Sequence, residues 1–163
     1  MSGRLSRHVD TAATPERVGE VLTDLAACPE WNPFIVRAEG VPGPGRRRTS
    51  TMQPVGDRAA TLRPRLAEVA FHRRLRWRGR LVMPGLMDAE HTFELEPRAG
   101  STRLIQTDTF RGVLPFLAAS LDRNTLPAFV AVNEALQRRA EDPAPTPASR
   151  GAVDDGGTGA GTA

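Results

Sequence analysis

Short stretches of alternating apolar and polar residues fill the chain between Ile35 and Gly112, and glycine or proline separates one stretch from the next. Alternation with a period of two is typical of strands that have one buried and one solvated face. The spacing of the stretches predicts an antiparallel meander, preceded by a short strand over residues 4–11. Six further strands are predicted, over residues 35–41, 46–53, 59–69, 72–81, 88–97 and 101–112.

The segment from Arg73 to Leu81 shows this alternation most clearly. From Arg74 onward its arginines share one parity and its apolar residues share the other, with Trp77 in the middle of the apolar set. Because successive side chains of a strand point to opposite faces, these arginines are predicted to be solvated and Trp77 to face the core.

A helix is predicted to begin after Thr14 and to end before Pro29. Thr14 is a suitable N-cap, a proline occupies the first helical position, and apolar residues follow at helical spacing. The next stretch, Cys28 to Phe34, has two prolines around Trp31 and predicts a corner in which the Asn32 side chain caps the backbone.

A longer helix is predicted from Pro115 to about Ala140, because its apolar residues recur at the spacing of one helix face. Pro127 lies inside this helix and predicts a kink or a break into two helices. Residues 143–163 are rich in proline, glycine and alanine and offer almost nothing to bury, so a disordered tail is predicted there. A single domain over residues 1–142 is therefore expected.

Length and cysteine content narrow the class of protein. The 163 residues suit one domain with its own core, and a single cysteine, Cys28, excludes an intrachain disulfide. The first residues form no apolar leader segment, and no apolar run reaches membrane-spanning length. A cytoplasmic, soluble protein without stable membrane insertion is expected.

The high isoelectric point, about 10.7, has a simple origin in the composition. All 22 cationic side chains are arginine and the formal net charge is only +3, so a small positive excess raises the isoelectric point strongly. Clusters at Arg46–Arg48 and between Arg73 and Arg80 have few aromatic neighbours, unlike a nucleic-acid-binding surface. We interpret them as solvated strand faces and expect no nucleic-acid partner.

The order of the predicted elements, a strand, a helix, a corner, six strands and a long helix, is what a helix-grip domain requires. Over residues 4–140 the chain resembles the START-like superfamily, also called SRPBCC, and in particular its small bacterial members labelled polyketide cyclase/dehydratase-like. The runs that carry this resemblance are Pro15-Glu16-Arg17-Val18, Val21-Leu22-Thr23-Asp24, Pro29-Glu30-Trp31-Asn32-Pro33-Phe34, Leu75-Arg76-Trp77-Arg78-Gly79 and His91-Thr92-Phe93-Glu94-Leu95.

The resemblance implies an α+β fold in which a curved antiparallel sheet of about seven strands wraps around a long C-terminal helix, with a short helical segment after the first strand. The superfamily includes lipid carriers, pollen-allergen-like ligand binders, aromatase/cyclases and a co-chaperone branch. Membership therefore specifies the fold without deciding the activity.

Strand parity predicts which side chains face the interior of such a sheet. A turn near Gly100 would pair Leu95 with Leu104, Phe93 with Gln106 and His91 with Asp108. If Trp77 faces inward, three polar side chains then point into an apolar interior: His91, Gln106 and Asp108. Burial of an unpaired polar group costs about 1–3 kcal/mol, so each should have a partner or a use.

Two interpretations stay open for each of these groups. His91 and Asp108 are either an acid/base dyad that transfers protons to a bound carbonyl compound or a structural hydrogen-bonded pair. Gln106 either binds ligand or is satisfied by water. The candidate ligand-binding residues are Trp31, Phe34, Trp77, Met83, Phe93, Gln106 and Phe110, and for each of the apolar ones a place in the core is the alternative interpretation.

The function expected first is the binding of a small hydrophobic or aromatic molecule, lipid- or polyketide-like, in an internal cavity. One alternative is a polyketide cyclase/dehydratase-type enzyme that uses His91 and Asp108, and another is a protein-interaction module of the co-chaperone kind. No cofactor is expected. The three histidines lie too far apart in the predicted strand order to suggest a metal site. The sequence carries no signal for the oligomeric state.

Overall fold

The computed structural model describes residues 2–53, 59–80, 87–112 and 115–142. These residues form eight strands and three helices. In chain order the elements are β1 (Ser2–Thr11), α1 (Pro15–Thr23), α2 (Cys28–Trp31), β2 (Ile35–Glu39), β3 (Thr49–Met52), β4 (Ala60–Leu62), β5 (Arg65–Ala70), β6 (Arg74–Arg80), β7 (Met87–Arg98), β8 (Ser101–Gly112) and α3 (Pro115–Glu141).

The strands form two antiparallel sheets that are joined at one edge. Five strands follow the order β1-β8-β7-β6-β5, and three follow the order β2-β3-β4. Before β3 the backbone pairs with β5: Arg47 forms a bridge with Arg65, and the Leu66 N–H donates to the Arg46 carbonyl oxygen at 2.8 Å. The three-stranded sheet therefore continues the wall of the larger one, as the predicted helix-grip fold requires.

The longest hairpin has the predicted register. Strands β7 and β8 pair His91 with Asp108, and the pairing runs without interruption to Arg98 and Ser101. Gly100 closes the two-residue turn with a φ of 70°, a left-handed conformation that favours glycine. The predicted pairing of the polar side chains across this hairpin is confirmed.

Strand boundaries differ from the prediction where proline or a turn interrupts pairing. The predicted strand 59–69 is two strands, because Pro64 has no N–H to donate to a ladder; its carbonyl oxygen accepts the Arg48 N–H at 3.0 Å instead. The predicted strand 72–81 begins only at Arg74, since a turn precedes it in which His72 has a φ of 62°. Strand 46–53 is likewise shortened to β3.

Helix α3 is continuous over 27 residues and includes Pro127, so the predicted break into two helices is wrong. The kink stays a prediction. The helix contacts β1, β8 and α1, and a buried stripe recurs every three or four residues along its second half. The buried residues of this stripe are Phe129, Val132, Asn133, Ala135, Leu136 and Ala140. None of the helices in the described ranges is long and apolar enough to cross a membrane.

The first helix and the corner that follows it form largely as predicted. Thr14 caps α1 by accepting the Arg17 N–H at 3.3 Å, although the regular helix ends at Thr23 and a short α2 follows. At the corner the Asn32 side chain accepts the Phe34 N–H at 3.0 Å, which confirms its predicted capping role.

The outer face of β6 carries the predicted arginines, and Arg74, Arg76 and Arg78 are each paired with a glutamate of a neighbouring strand. The closest nitrogen–oxygen distances are 2.7 Å for Arg74–Glu94, 3.0 Å for Arg76–Glu68 and 2.7 Å for Arg78–Glu90. On the opposite face Leu75 and Trp77 are buried, with 1% and 5% of their surface exposed. The charged cluster on the outer face therefore has a structural explanation that involves no ligand.

Candidate functional site

Two rows of side chains cross the inner face of the five-stranded sheet. The first row runs from Trp77 on β6 to His91 on β7 and Asp108 on β8, which are direct neighbours in the register. The second runs in parallel through Leu75, Phe93 and Gln106. The register therefore brings five of the predicted site residues into one patch, since paired residues point to the same side of a sheet.

This patch faces helix α3. The His91 ring meets the Phe93 ring edge-on, with 4.7 Å between the centroids, and meets the Phe129 ring of α3 at 5.8 Å. Both phenylalanines are buried, with 6% and 4% exposure. The imidazole consequently lies between the sheet and the helix, on the predicted concave side.

His91 forms two hydrogen bonds with its neighbours on β8. Its Nδ1 is bonded to Asp108 Oδ1, and its Nε2 lies 3.3 Å from Gln106 Nε2. In the tautomer with the proton on Nδ1, the ring donates a hydrogen bond to the Asp108 carboxyl oxygen and its Nε2 lone pair accepts one from the Gln106 amide. The carboxylate thus orients the ring as the dyad hypothesis requires, and 28% of the His91 side chain is exposed.

Two buried amide oxygens, one on the sheet and one on helix α3, have no hydrogen-bond partner among the described residues. Gln106 Oε1 on β8 is enclosed and has no hydrogen-bond partner among the described residues, and the same holds for Asn133 Oδ1 on α3. Asn133 follows Phe129 by one helical turn and so lies on the same helix face. Two hydrogen-bond acceptors in an apolar layer are places where a ligand or a water molecule can donate.

Arg48 is a member of this site that the sequence analysis missed. Its guanidinium carbon lies 4.3 Å from the centre of the Trp77 ring, and its Nε is enclosed without a hydrogen-bond partner in the described structure. Burial lowers the pKa of this guanidinium, and the Cys28 thiol partly opposes that shift. The interpretation of Arg46–Arg48 as a solvated face is therefore wrong for Arg48.

The backbone before β3 explains how Arg48 reaches the interior. Gly40, with a φ of 133°, allows the chain to pass so closely that a Cβ there would lie 3.2 Å from the Arg48 Cα. The arginine then shares its parity with Ser50, which is buried, and with Met52, which packs against the core. That shared parity is the signal that would have identified it.

The other predicted lining residues lie in varied surroundings. Phe34 and Phe110 are half-buried, and Phe110 shares its parity on β8 with Gln106 and Asp108. Trp31 packs against the core, and its Nε1 is enclosed without a partner in the described part of the chain. Met83 lies outside the described residues.

Trp31 also borders a separate cleft of about 340 Å³ on the outside of the domain, between α1, α2 and the end of α3. Two ion pairs lie at this cleft, Arg139 with Glu30 at 2.6 Å and Arg17 with Glu20 at 3.5 Å. Two donor atoms of the cleft lining, Arg17 Nε and Trp31 Nε1, are nevertheless enclosed without a hydrogen-bond partner among the described residues.

Cys28 is buried, and burial raises the pKa of its thiol, which disfavours the reactive thiolate. Within the described ranges no group of three or more histidine, cysteine or acidic residues is placed to hold a metal ion.

Known proteins share both the fold of this chain and a family-specific sequence pattern. The fold is that of START-like proteins, with the helix and the curved sheet as its two walls. The family model for polyketide cyclase / dehydrase and lipid transport matches residues 2–141, and the chain belongs to that family. The resemblance seen in the sequence is thereby confirmed. A search of the curated proteins found no match.

Solved structures share the fold at low sequence identity. The ZhuI aromatase/cyclase from Streptomyces sp. R1128 is 18% identical with a TM-score of 0.69, covering 86% of this chain and 94% of that one. A START superfamily protein from Mycobacterium smegmatis is 20% identical with a TM-score of 0.65, covering 85% and 97%. Truncated norcoclaurine synthase from Thalictrum flavum is 14% identical with a TM-score of 0.70, covering 88% and 96%.

Proposed function

We propose that the protein binds a small hydrophobic or aromatic molecule, lipid- or polyketide-like, between the inner face of the sheet and helix α3. The observation that carries this proposal is the pair of enclosed amide oxygens, on Gln106 and Asn133, that have no hydrogen-bond partner among the described residues. A stable core has little reason to keep such groups unpaired, because each costs about 1–3 kcal/mol. The cytoplasmic location expected from the sequence is part of the proposal.

The chemistry of the inner face suits such a ligand. Aromatic and aliphatic side chains would supply affinity by burying ligand carbon, at about 25 cal/mol per Å² of apolar surface. The amide oxygens would accept hydrogen bonds from ligand hydroxyl groups and so set its orientation. The family description includes both cyclase activity and lipid transport, and both need a site for a lipophilic molecule.

A neutral fluorescent probe tests the proposal directly. N-phenyl-1-naphthylamine should bind the wild-type protein with a rise in fluorescence, and Phe110→Ala should weaken that binding several-fold. The matched control is Phe71→Ala, since Phe71 is a phenylalanine with 60% exposure. Equal affinity in wild type and Phe110→Ala, or an equal loss in both variants, would contradict binding at this face.

A second candidate function is proton transfer to and from a bound carbonyl compound. The His91–Asp108 hydrogen bond favours it, because an oriented imidazole beside an apolar layer is a suitable general acid and base. The test is deuterium uptake at the methyl group of 2-acetonaphthone in D₂O, followed by NMR. Wild type should accelerate the exchange and Asp108→Asn should abolish the acceleration while it keeps probe binding. An absence of acceleration by wild type would leave the protein as a binder.

A further inference from the structure

We propose that the natural ligand carries an anionic oxygen, as in a carboxylate or an ionised phenol, and that this group binds the guanidinium of Arg48. The proposal rests on the proposed function, because it specifies the ligand class of the same inner face. Arg48 would bind the charged group of the ligand, and the rest of the inner face would bind its apolar part.

The position of Arg48 is the first support. It precedes β3 directly and continues the inward parity of Ser50, which is 2% exposed. Its guanidinium lies over Trp77, and Trp77 is the direct neighbour of His91 in the register. The cation therefore lies at the Trp77 end of the row, and the His91–Asp108 pair forms the other end.

The absence of a counter-charge is the second support. Among the described residues no carboxylate forms an ion pair with Arg48, and its Nε has no hydrogen-bond partner. Eight other arginines of the described residues are each paired with an aspartate or glutamate within 4 Å: Arg17, Arg37, Arg74, Arg76, Arg78, Arg98, Arg103 and Arg139. The Nε atoms of Arg17 and Arg76 also lack a hydrogen-bond partner, but both of those arginines have a carboxylate partner. Arg48 lies over Trp77 instead and has no such partner among the described residues.

The physical chemistry of guanidinium explains what would complete this arrangement. The Trp77 ring attracts the cation through its face but accepts no conventional hydrogen bond from its N–H groups. A carboxylate accepts two parallel N–H bonds from a guanidinium and neutralises its charge. The lowered pKa of Arg48 has the same origin, since desolvation disfavours the charged form.

A second unpaired group lies on the same strand face. Ser50 Oγ is enclosed without a hydrogen-bond partner in the described structure, and it follows Arg48 by one strand repeat of two residues. Neighbouring strands are about 4.8 Å apart, so the span from β6 to β8 is about 10 Å. A ligand anchored at Arg48 would therefore extend across Trp77 toward His91 if it is about as long as two or three fused rings.

Two probes with the same aromatic skeleton separate the charge anchor from apolar binding. N-phenyl-1-naphthylamine is neutral, and 8-anilino-1-naphthalenesulfonate differs from it by one sulfonate. In wild type, Arg48→Gln and Arg47→Gln, both dissociation constants are measured by fluorescence titration. Arg47→Gln is the matched control, because it removes the same charge from an adjacent, exposed residue.

The proposal expects Arg48→Gln to weaken the sulfonate probe about tenfold and the neutral probe less than twofold, with Arg47→Gln changing neither. If Arg48→Gln weakened both probes equally, Arg48 would serve only to pack on Trp77. If it weakened neither probe, the anion would bind elsewhere. Either result overturns the proposal. If wild type bound neither probe, the proposed function itself would fail, which is a different outcome.

A second variant protects the test against unfolding. Arg48→Lys keeps the charge but loses the planar pair of donors, so the sulfonate probe should bind with an affinity between those of wild type and Arg48→Gln. Thermal unfolding is measured for each variant. If only Arg48→Lys folds, a loss of sulfonate binding smaller than twofold, or one matched by the neutral probe, overturns the proposal.

Discussion

Polar groups on the two sides of the five-stranded sheet differ in whether they have charged or hydrogen-bonding partners. On the outer face Arg74, Arg76 and Arg78 of β6 each have a glutamate carboxylate of a neighbouring strand within 4 Å, and Arg76 Nε is the one enclosed atom among them without a hydrogen-bond partner. On the inner side Arg48, Gln106 and Asn133 each have an enclosed polar atom without a partner in the described structure. Most of the described arginines are therefore surface residues, whereas Arg48 is half-buried and lies over the buried Trp77 ring.

The free-energy contributions of polar groups also differ between the two faces. An exposed ion pair contributes about 0–1 kcal/mol, because water screens the charges and the side chains lose entropy. An enclosed polar group without a partner costs about 1–3 kcal/mol. Substitutions on the inner face should therefore change stability and binding together, and substitutions on the outer face should change either one only slightly.

The largest effect is expected for Trp77→Ala. Removing this buried side chain leaves a cavity and should lower the free energy of unfolding by about 3–5 kcal/mol, as measured by urea denaturation. Phe71→Ala is the control and should stay within about 0.5 kcal/mol of wild type, because Phe71 is exposed. A loss below about 1 kcal/mol for Trp77→Ala would contradict its place in the core.

Gln106→Met should not destabilise the protein, in contrast to Trp77→Ala. Methionine has a similar shape without the unpaired Oε1, so the free energy of unfolding should stay equal or rise by up to about 1–2 kcal/mol. The bond to His91 that is lost is long, at 3.3 Å. Binding of a hydroxylated probe such as 2-naphthol should weaken at the same time. A clear loss of stability would show that the amide is already satisfied.

A smaller effect is expected for Glu90→Gln on the outer face, at most about 1 kcal/mol and less at high salt. Burial acts to raise the pKa of Glu90, but the hydrogen bond from Arg78 and the charges of Arg76, Arg78 and Arg111 outweigh it, so its pKa is lowered. A carboxyl group with a depressed folded-state pKa stabilises above its unfolded value and loses that contribution on acidification. The difference between wild type and Glu90→Gln should therefore begin to shrink as the pH falls below about 4. Thermal unfolding across pH 3–7 checks this, and a difference that is undiminished at pH 3 would contradict it.

The smallest effect is expected for truncation after Asp142. The composition of residues 143–163 offers little apolar surface to offset the entropy of ordering them, so neither face of the sheet should depend on them. The melting temperature should change by less than about 1 °C. A loss of more than about 1 kcal/mol would show that this segment packs against the domain.

Much of the inner face was predictable because the hairpin of β7 and β8 is local. Its turn at Gly100 and the period of two determine which residues face each other, so the His91–Asp108 pair follows from sequence positions alone. Trp77 was predictable for a related reason, since an arginine face on one side of a strand implies a buried face on the other. Asn32 was predictable because its hydrogen bond spans only two residues.

The sequence by itself determined the order of elements, the family resemblance and the parity of each strand, because these depend on neighbours within a few residues. Only the tertiary structure decided which parity faces inward near β3 and what lies opposite it there. Arg48 meets Trp77 because Pro64 and Leu66 accept or donate backbone hydrogen bonds across to the segment before β3. Likewise, Phe129 reaches His91 only when α3 packs on the sheet. The two side-chain contacts, Arg48–Trp77 and His91–Phe129, join residues about 30 or more positions apart. No local sequence pattern specifies which distant surfaces will meet.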